Sequence, residues 1–199
     1  MQIDAEKMIE SLLESLSKVD GIHPEDVPNI DLYMDQVTTF MDGHLSSFKR
    51  YKDDKILTKT MINNYAKNRL LPPPEKKKYS REHMLLLIFI YYFKNILSIN
   101  DIQKLLEPVT QKYFHSEDGF SVNDLYRIIF ELERSEVGRV KEDLLQTLDA
   151  SRNNFPDVAP DEQEFLQLFS FICMLSFDVY LKKQLIEELI DKMAPDTSG

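Results

Sequence analysis

The chain has 199 residues, a net charge of −10 and a single cysteine, Cys173. This length can bury one core or two small ones, and a lone cysteine excludes an internal disulfide bond. Only 5 residues are glycine and strong helix formers are abundant, so the composition favours an all-α protein. No secretory signal follows Met1, and we therefore expect a reducing compartment, the cytoplasm.

The positive charge of this acidic protein is concentrated in one segment, residues 49–82. The segment holds eleven lysines and arginines against four acids, a balance of +7, which leaves −17 for the rest because the whole chain carries −10. Neutralisation of phosphates by basic side chains supplies most non-specific DNA affinity. A segment of this charge therefore indicates a nucleic-acid partner, and a solvated basic loop is the alternative interpretation.

The spacing of apolar residues predicts amphipathic helices at 5–19 and 31–48. A basic loop follows, and a short helix is then expected at about 58–68, with Thr58 as its N-cap. Three consecutive prolines open the next segment, residues 72–79, and require an extended path. We call this basic, extended segment the wing.

Helix signals continue to the end of the chain. Ser80 opens a strongly apolar helix that we expect to form the centre of the core. Ser98 and Ser121 each precede an acid by three residues, which is the spacing of a capping box, and Pro108 is expected to end the helix that begins at Ser98. A long helix and a connector then lead to a last helix that starts at Pro160.

The last predicted helix contains an apolar run, residues 165–181. It is shorter than the roughly 20 residues that a membrane-spanning helix needs, and Gln167 and Asp178 interrupt it, so we expect no membrane insertion. Core packing is the expected role of this run, within which Cys173 should be a buried thiol with a raised pKa. Dimerisation and a pocket for an apolar effector are the alternatives. The aromatic and sulfur-containing residues of the run are Phe165, Phe169, Phe171, Met174, Phe177 and Tyr180.

No pattern in the sequence indicates catalysis. The four histidines are scattered, and none forms a pair at the spacing of a helical metal site. A polar turn explains His115 and the two acids that follow it better than a metal site does. The chain also lacks a glycine-rich phosphate loop, a nucleophile elbow and a carboxylate pair. We therefore expect no enzyme, no cofactor and no bound metal ion.

A set of spaced residues carries a resemblance to a known family. These residues are Tyr65, Lys67, Leu70, Leu71, Pro72, Lys77, Tyr79, Met84, Leu87, Ile90, Ser98, Ile99, Asp101, Ile102, Leu105 and Leu106. In this pattern residues 61–106 resemble the DNA-binding domain of the mercury-resistance regulator (MerR) superfamily, a winged helix-turn-helix. The resemblance implies that Tyr65, Lys67 and Lys77 contact phosphates. From about 31 to 193, the chain is more similar still to a Gram-positive bacterial family catalogued as a domain of unknown function.

The chain departs from the superfamily pattern at two places. Asn63 and Asn64 stand where the superfamily usually has arginine and an aromatic residue, and Arg69 stands at its turn glycine. Because asparagine amides pair bidentately with adenine, we expect Asn63 and Asn64 to read bases. Asn68 is expected to supply the left-handed turn in place of the missing glycine.

These inferences predict a winged helix-turn-helix domain at 1–110, which includes the N-terminal helices, followed by an α-helical bundle at 111–199 for dimerisation or regulation. The expected function is a sequence-specific transcriptional regulator that binds double-stranded DNA as a homodimer. Helix 58–68 would enter the major groove, and the wing would contact phosphates. A helical protein-interaction adaptor that keeps the fold without binding DNA is the alternative. The predicted DNA-binding residues are Lys59, Asn63, Asn64, Tyr65, Lys67, Lys76, Lys77, Lys78, Tyr79 and Arg81.

Overall fold

The computed structural model describes residues 11–12, 14, 21–116, 119–152 and 154–193, with Asp161 described by its backbone alone. Most of the described residues are helical, which confirms the all-α class. The predicted helix at 5–19 falls almost entirely outside the described residues.

In the described part of the chain, the α-helices are α1 (Met34–Leu45), α2 (Lys59–Lys67), α3 (Arg81–Phe93), α4 (Ile99–Tyr113), α5 (Val122–Arg152) and α6 (Pro160–Met193). Short 3-10 helices lie at Pro24–Asp26 and Ser46–Phe48. Two short strands, β1 (Leu32–Tyr33) and β2 (Lys78–Tyr79), pair antiparallel, with Leu32 opposite Tyr79 and Tyr33 opposite Lys78. The sequence did not predict β1, because two residues are too few to show the alternation of a strand.

The chain divides into two compact units. The first consists of Ile22–Phe130 together with the end of α6 from Ile186, and the second is built on Glu131–Leu185. Both α5 and α6 therefore contribute to each unit. The domain boundary at residue 110 stays a prediction.

As predicted, α3 forms the centre of the core of the first unit. All its residues from Glu82 to Tyr91 are buried. Other elements pack around it with Val37, Met41, Leu45, Ile62, Tyr65, Tyr79, Ile102, Leu106, Val122 and Tyr126. Full burial of one large apolar side chain stabilises the fold by about 1.5–3 kcal/mol, so this cluster determines where α1, α2 and β2 lie.

Three predicted helix starts are confirmed by side-chain caps. The hydroxyl of Thr58 accepts a hydrogen bond from the Met61 N–H at 3.1 Å, and that of Ser98 accepts one from the Asp101 N–H at 3.2 Å. Ser121 caps α5 through the same three-residue spacing, at 3.4 Å. Each cap satisfies one of the N–H groups that the first turn of a helix leaves unpaired.

Pro108 does not end α4, so that prediction is wrong. The helix continues through the proline to Tyr113. Pro108 lies on the exposed side of α4, where water can bond the carbonyl that a proline leaves without a helical partner. Ile102 and Leu106 are buried on the other side, and their packing holds the helix in place.

The expected core packing of the apolar run in α6 is also wrong. In the described part of the second unit, Phe171 is the buried member of the run, with Leu144, Leu148 and Leu175 packed against it. Phe165, Phe169, Phe177 and Tyr180 are each more than half exposed, and Cys173 is exposed as well. The reason is geometric: the packing against α5 covers one stripe of α6, whereas the apolar run continues around the helix. By length and composition alone, the segment Glu162–Met193 is long and apolar enough to cross a membrane.

Candidate nucleic-acid interface

The short helix α2 has one buried and one exposed side. Ile62 and Tyr65 are buried against the core, and no acid occurs within the helix. The exposed residues are Lys59, Thr60, Asn63, Asn64, Lys67 and Asn68. Because residues four apart lie on the same side of a helix, these side chains form one continuous face of amide, hydroxyl and ammonium groups. The predicted helix and its predicted polar face are therefore both present.

The helix α2 ends in a left-handed turn at Arg69, whose φ is 59°. The N–H of Leu70 donates to the carbonyl of Tyr65 at 2.9 Å, and the N–H of Arg69 donates to that of Ala66 at 3.2 Å. These two bonds form a Schellman motif. Asn68 has a φ of −91°, so the prediction that it supplies the left-handed turn is wrong. Since Leu70 returns to the core, the chain must reverse at residue 69 whatever side chain stands there.

The wing contains a tight turn with two lysines at its tip. The N–H of Lys78 donates to the carbonyl of Glu75 at 2.8 Å, and Lys76 and Lys77 have φ values of 47° and 65°. Two consecutive left-handed residues are typical of a type I′ turn, the turn that joins hairpin strands most readily. Both lysines are exposed, and neither forms an ion pair with any described residue. The sequence did not indicate this turn, because asparagine and glycine usually occupy its two central positions and lysines stand there in this chain.

Two of the predicted elements meet at the start of α1. Lys59, in the first turn of α2, forms an ion pair with Asp35. The ammonium of Lys78 in β2 lies 5.4 Å from the centroid of the Tyr33 ring, within the range of a cation–π contact. Because Tyr33 and Asp35 are two residues apart, the beginning of α2 and the base of the hairpin are neighbours. Neither partner was predicted, since nothing in the local sequence around β1 indicates which residues it will contact.

Two predicted DNA-binding residues belong to the core. Tyr65 and Tyr79 are 5% and 3% exposed, and burial raises the pKa of both phenols. Their rings hold α2 and β2 against the buried cluster. These two side chains are therefore not part of the exposed basic surface.

A third predicted residue, Arg81, is engaged within the protein. Its guanidinium donates to the carbonyl oxygens of Val27 and of Pro24, the latter at 2.5 Å, and to Asn123 Oδ1 at 2.8 Å. These bonds connect α3 to the segment before β1 and to the start of α5. The half-buried Arg81 thus has a structural role, and the planar fork of its donors suits three acceptors at once.

The loop between α1 and α2 adds basic residues that the predicted set omitted. Arg50, Lys52 and Lys55 are exposed, whereas Lys49 is paired with Asp42 at 2.6 Å. The signal that could have found them is the charge of segment 49–82 itself, because all three belong to it. Arg69 was not among the predicted residues because it stands at the position of the turn glycine, where the pattern indicates a role for the backbone.

A buried polar cluster lies at the start of α3. His83 is 1% exposed, and its Nδ1 accepts a hydrogen bond from the Ser80 N–H at 3.0 Å. Burial lowers the pKa of His83 to about 4, against a smaller opposing effect of the Pro73 carbonyl. Beside it, the Glu82 carboxylate accepts from the His115 N–H at 2.7 Å. In the part of the chain that the structure describes, no group of three His, Cys, Asp or Glu side chains could hold a metal ion.

Fold and site together define a helical protein whose first unit carries an exposed basic helix and an exposed basic turn. The profile described as Domain of unknown function (DUF1836) matches residues 22–129, more than half of the chain. The chain therefore belongs to this family, which confirms the expected likeness to a domain of unknown function. The expected extent of that likeness to about residue 193 stays a prediction, because the match ends at residue 129. The matched residues coincide with the compact part Ile22–Phe130 of the first unit. No curated protein and no solved structure matches the chain.

Proposed function

We propose that residues 32–106 form a winged helix-turn-helix that binds double-stranded DNA, and that the protein is a sequence-specific transcriptional regulator. In this proposal α2 enters the major groove, while Lys76 and Lys77 contact a flanking phosphate. The observation that carries the proposal is the meeting of α2 and β2 at the start of α1, through Lys59 and Lys78. Two basic elements held next to each other offer simultaneous contacts to a groove and to the backbone beside it.

The backbone at Arg69 supports the likeness to the MerR superfamily. The superfamily has its turn glycine at this position, and here Arg69 adopts the left-handed conformation that glycine favours. The arginine therefore retains the turn while adding a positive charge next to Lys67. An exposed cation at the end of the helix is useful to a protein that must neutralise phosphates.

The exposed face of α2 supplies the base-reading groups in this proposal. Asn63 and Asn64 each carry an amide that can pair bidentately with adenine, a contact worth about 1–3 kcal/mol of discrimination. Lys67, Arg69 and the two lysines of the turn provide phosphate contacts. The residues that contact DNA in this proposal do not include Tyr65 and Tyr79, which are buried, or Arg81, whose guanidinium is hydrogen-bonded within the protein.

The test first selects the fragments that the purified 199-residue chain binds from mixed genomic DNA, and then measures its affinity for them by fluorescence anisotropy at several salt concentrations. Replacing all three wing lysines (K76A/K77A/K78A) should lower affinity on the order of a hundredfold near 0.1 M salt. The slope of log affinity against log salt should become shallower by about 2, because Lys76 and Lys77 each neutralise one phosphate whereas Lys78 lies against the Tyr33 ring. Unchanged affinity would reject the role of the wing.

A matched control removes the same charge elsewhere. The triple variant K141A/K182A/K192A also lowers the net charge by three but leaves the proposed surface intact. It should bind DNA nearly as the parent does. An equal loss of affinity in both triple variants would attribute binding to overall charge and would count against the proposed surface. Asn63→Ala should instead reduce the differences in affinity between DNA fragments of different sequence, and should leave the slope of log affinity against log salt unchanged.

The second candidate is a helical protein-interaction adaptor that keeps the fold without binding DNA. Two observations favour it: Asp35 already neutralises Lys59, and α6 exposes a large apolar surface. An adaptor predicts that the same fragments bind weakly or not at all, and that any binding does not depend on salt.

A further inference from the structure

The largest feature that DNA binding does not explain is the apolar surface of α6 between Phe165 and Leu181. One side of this stretch, around Phe171, packs against α5. Seven other large side chains of the stretch are each 50–60% exposed: Phe165, Phe169, Ile172, Met174, Phe177, Tyr180 and Leu181. A helix that exposes so many large apolar residues on one stretch is unusual for a chain that stays alone in water.

The size of this surface is informative. A fully covered aromatic side chain buries about 150–250 Å² and an aliphatic one less, so these half-exposed residues together leave on the order of 700 Å² uncovered. The largest apolar patch on a typical monomer is about 300–600 Å². A standard protein–protein interface buries about 800 Å² on each partner. The exposed surface of α6 is therefore close to what one stable interface needs.

The arrangement of the exposed residues suits a helical partner. Phe165, Phe169 and Ile172 are spaced by four and three residues, and Cys173, Phe177 and Tyr180 repeat that spacing. Rows with this spacing run along one side of a helix and pack against another helix over its length. This side carries no charged residue between Phe165 and Leu181, since the single acid there lies on the other side.

That acid is Asp178, which follows Phe171 by seven residues and therefore lies on the side of α6 that faces α5. It is paired with Lys182 at 2.7 Å. The one charged group of this stretch thus lies on the α5 side, and the exposed side is left without charge.

We propose that the exposed side of α6, from Phe165 to Leu181, is the surface through which two copies of this chain associate, with α6 of one copy packed against α6 of the other. This association does not require DNA binding, so either proposal can fail without the other. Two copies would each cover the surface that the other exposes, as the self-complementary interface of a two-fold dimer requires.

A lipid bilayer fits this surface less well than a second copy does. The apolar stretch from Phe165 to Leu181 spans about 25 Å, against roughly 30 Å for a hydrocarbon core, and Asp178 interrupts it. The packing of Leu144 and Leu148 on Phe171 ties α5 to the same stretch. Between Glu131 and Arg152, α5 carries ten charged residues, which are costly to bring into lipid.

Analytical ultracentrifugation of the full chain over a range of concentrations tests the proposal. The parent should sediment as a dimer at micromolar concentration. The double variant F169E/F177E should be monomeric there, with a dissociation constant raised at least about a hundredfold, because two carboxylates would be buried without partners. Both side chains are exposed, so circular dichroism should show the same helix content in the parent and the variant.

A matched control changes two exposed apolar residues of the other unit. Ile96 and Ile99 are 46% and 47% exposed near the start of α4, and I96E/I99E should leave the dimer intact. If this variant dissociates as strongly as F169E/F177E does, the interface is not on α6 and the proposal is overturned.

Cys173 provides a second measurement, because it lies on the exposed side between Phe169 and Phe177. A maleimide should label its thiol at least about tenfold more slowly in the parent than in F169E/F177E, since association covers the thiol. A parent that stays monomeric at every concentration overturns the proposal. Flotation of such a monomer with phosphatidylcholine vesicles would assign the surface to lipid, and binding of an apolar dye to it would assign the surface to a small ligand.

Discussion

Lys59, at the beginning of α2, forms an ion pair with Asp35 in the first turn of α1. The two side chains are 60% and 75% exposed, so solvent screens the pair and its contribution to stability is small. Its larger effect is on the surface potential, because Asp35 introduces a negative charge beside the exposed face of α2. In the proposed complex this charge would repel the phosphates that Lys59 attracts.

Replacing Asp35 with asparagine should therefore strengthen DNA binding. We expect D35N to raise affinity about fivefold at low salt, because Lys59 becomes available to a phosphate and the repulsion disappears. The free energy of unfolding should change by less than about 0.5 kcal/mol. Anisotropy titrations and urea denaturation measure the two effects. Asp191→Asn, which removes an exposed acid paired with Lys104, is the control and should leave affinity unchanged.

Replacing Arg69 with glycine should stabilise the fold. A residue with a side chain in the left-handed region costs about 1 kcal/mol, and glycine avoids that cost. We expect R69G to raise the free energy of unfolding by about 1 kcal/mol in urea denaturation, while losing one charge from the proposed DNA surface. Asn68→Gly is the matched control, because Asn68 has a negative φ and gains nothing from glycine. Equal effects of the two substitutions would contradict the role of the left-handed turn.

Removing the side chain of Arg81 should destabilise the protein without acting through the DNA surface. R81A loses three hydrogen bonds, two of them to carbonyls that would remain partly buried, and we expect a loss of about 2–4 kcal/mol in the free energy of unfolding. Arg81→Lys should recover only part of it, because one ammonium cannot reproduce the fork. Arg50→Ala, at an exposed position, should stay within about 0.5 kcal/mol of the parent. If R81A loses more DNA affinity than its smaller folded fraction explains, Arg81 contacts DNA directly after all.

The buried His83 should make stability depend on pH. Its pKa is about 4 in the folded chain, below the ordinary value of 6.5, so protons bind the unfolded chain more tightly. The stability from neutral His83 is present above pH 6.5 and is lost as pH falls to about 4, a total of about 3 kcal/mol. His83→Asn keeps an acceptor for the Ser80 N–H but does not titrate, and urea denaturation across this range should show a smaller slope. His115 and Asp31 also act on His83, so the difference between parent and variant is the quantity to compare. Identical slopes would show that other groups control the acid sensitivity.

Several features of the fold were predictable because their causes are local. Thr58, Ser98 and Ser121 cap their helices through hydroxyl groups three residues from the bonded N–H, and a proline at position 160 begins α6. The buried α3 was predictable from its continuous apolar sequence. Each of these depends on neighbours in the chain, and the sequence shows those neighbours directly.

Other features depend on contacts between residues that are distant in the chain. Arg81 was grouped with the DNA-binding residues because of its charge, yet its acceptors lie 42 to 57 residues away. The pairing of β1 with β2 and the ion pair of Lys59 with Asp35 likewise join separate segments. For the candidate site, the sequence indicated the exposed amides and lysines of α2, but not which of the predicted residues are buried.

The sequence by itself therefore determined the all-α class, the helix starts and the segment that concentrates positive charge, because composition, capping and charge are properties of adjacent residues. Tertiary structure alone decided the left-handed turn at Arg69, the burial of Tyr65 and Tyr79, and the exposure of the aromatic residues on α6. In each case the outcome depends on where the neighbouring elements pack and which residues they cover. An apolar side chain is buried only where another element covers it, and along most of α6 no part of the described chain does so.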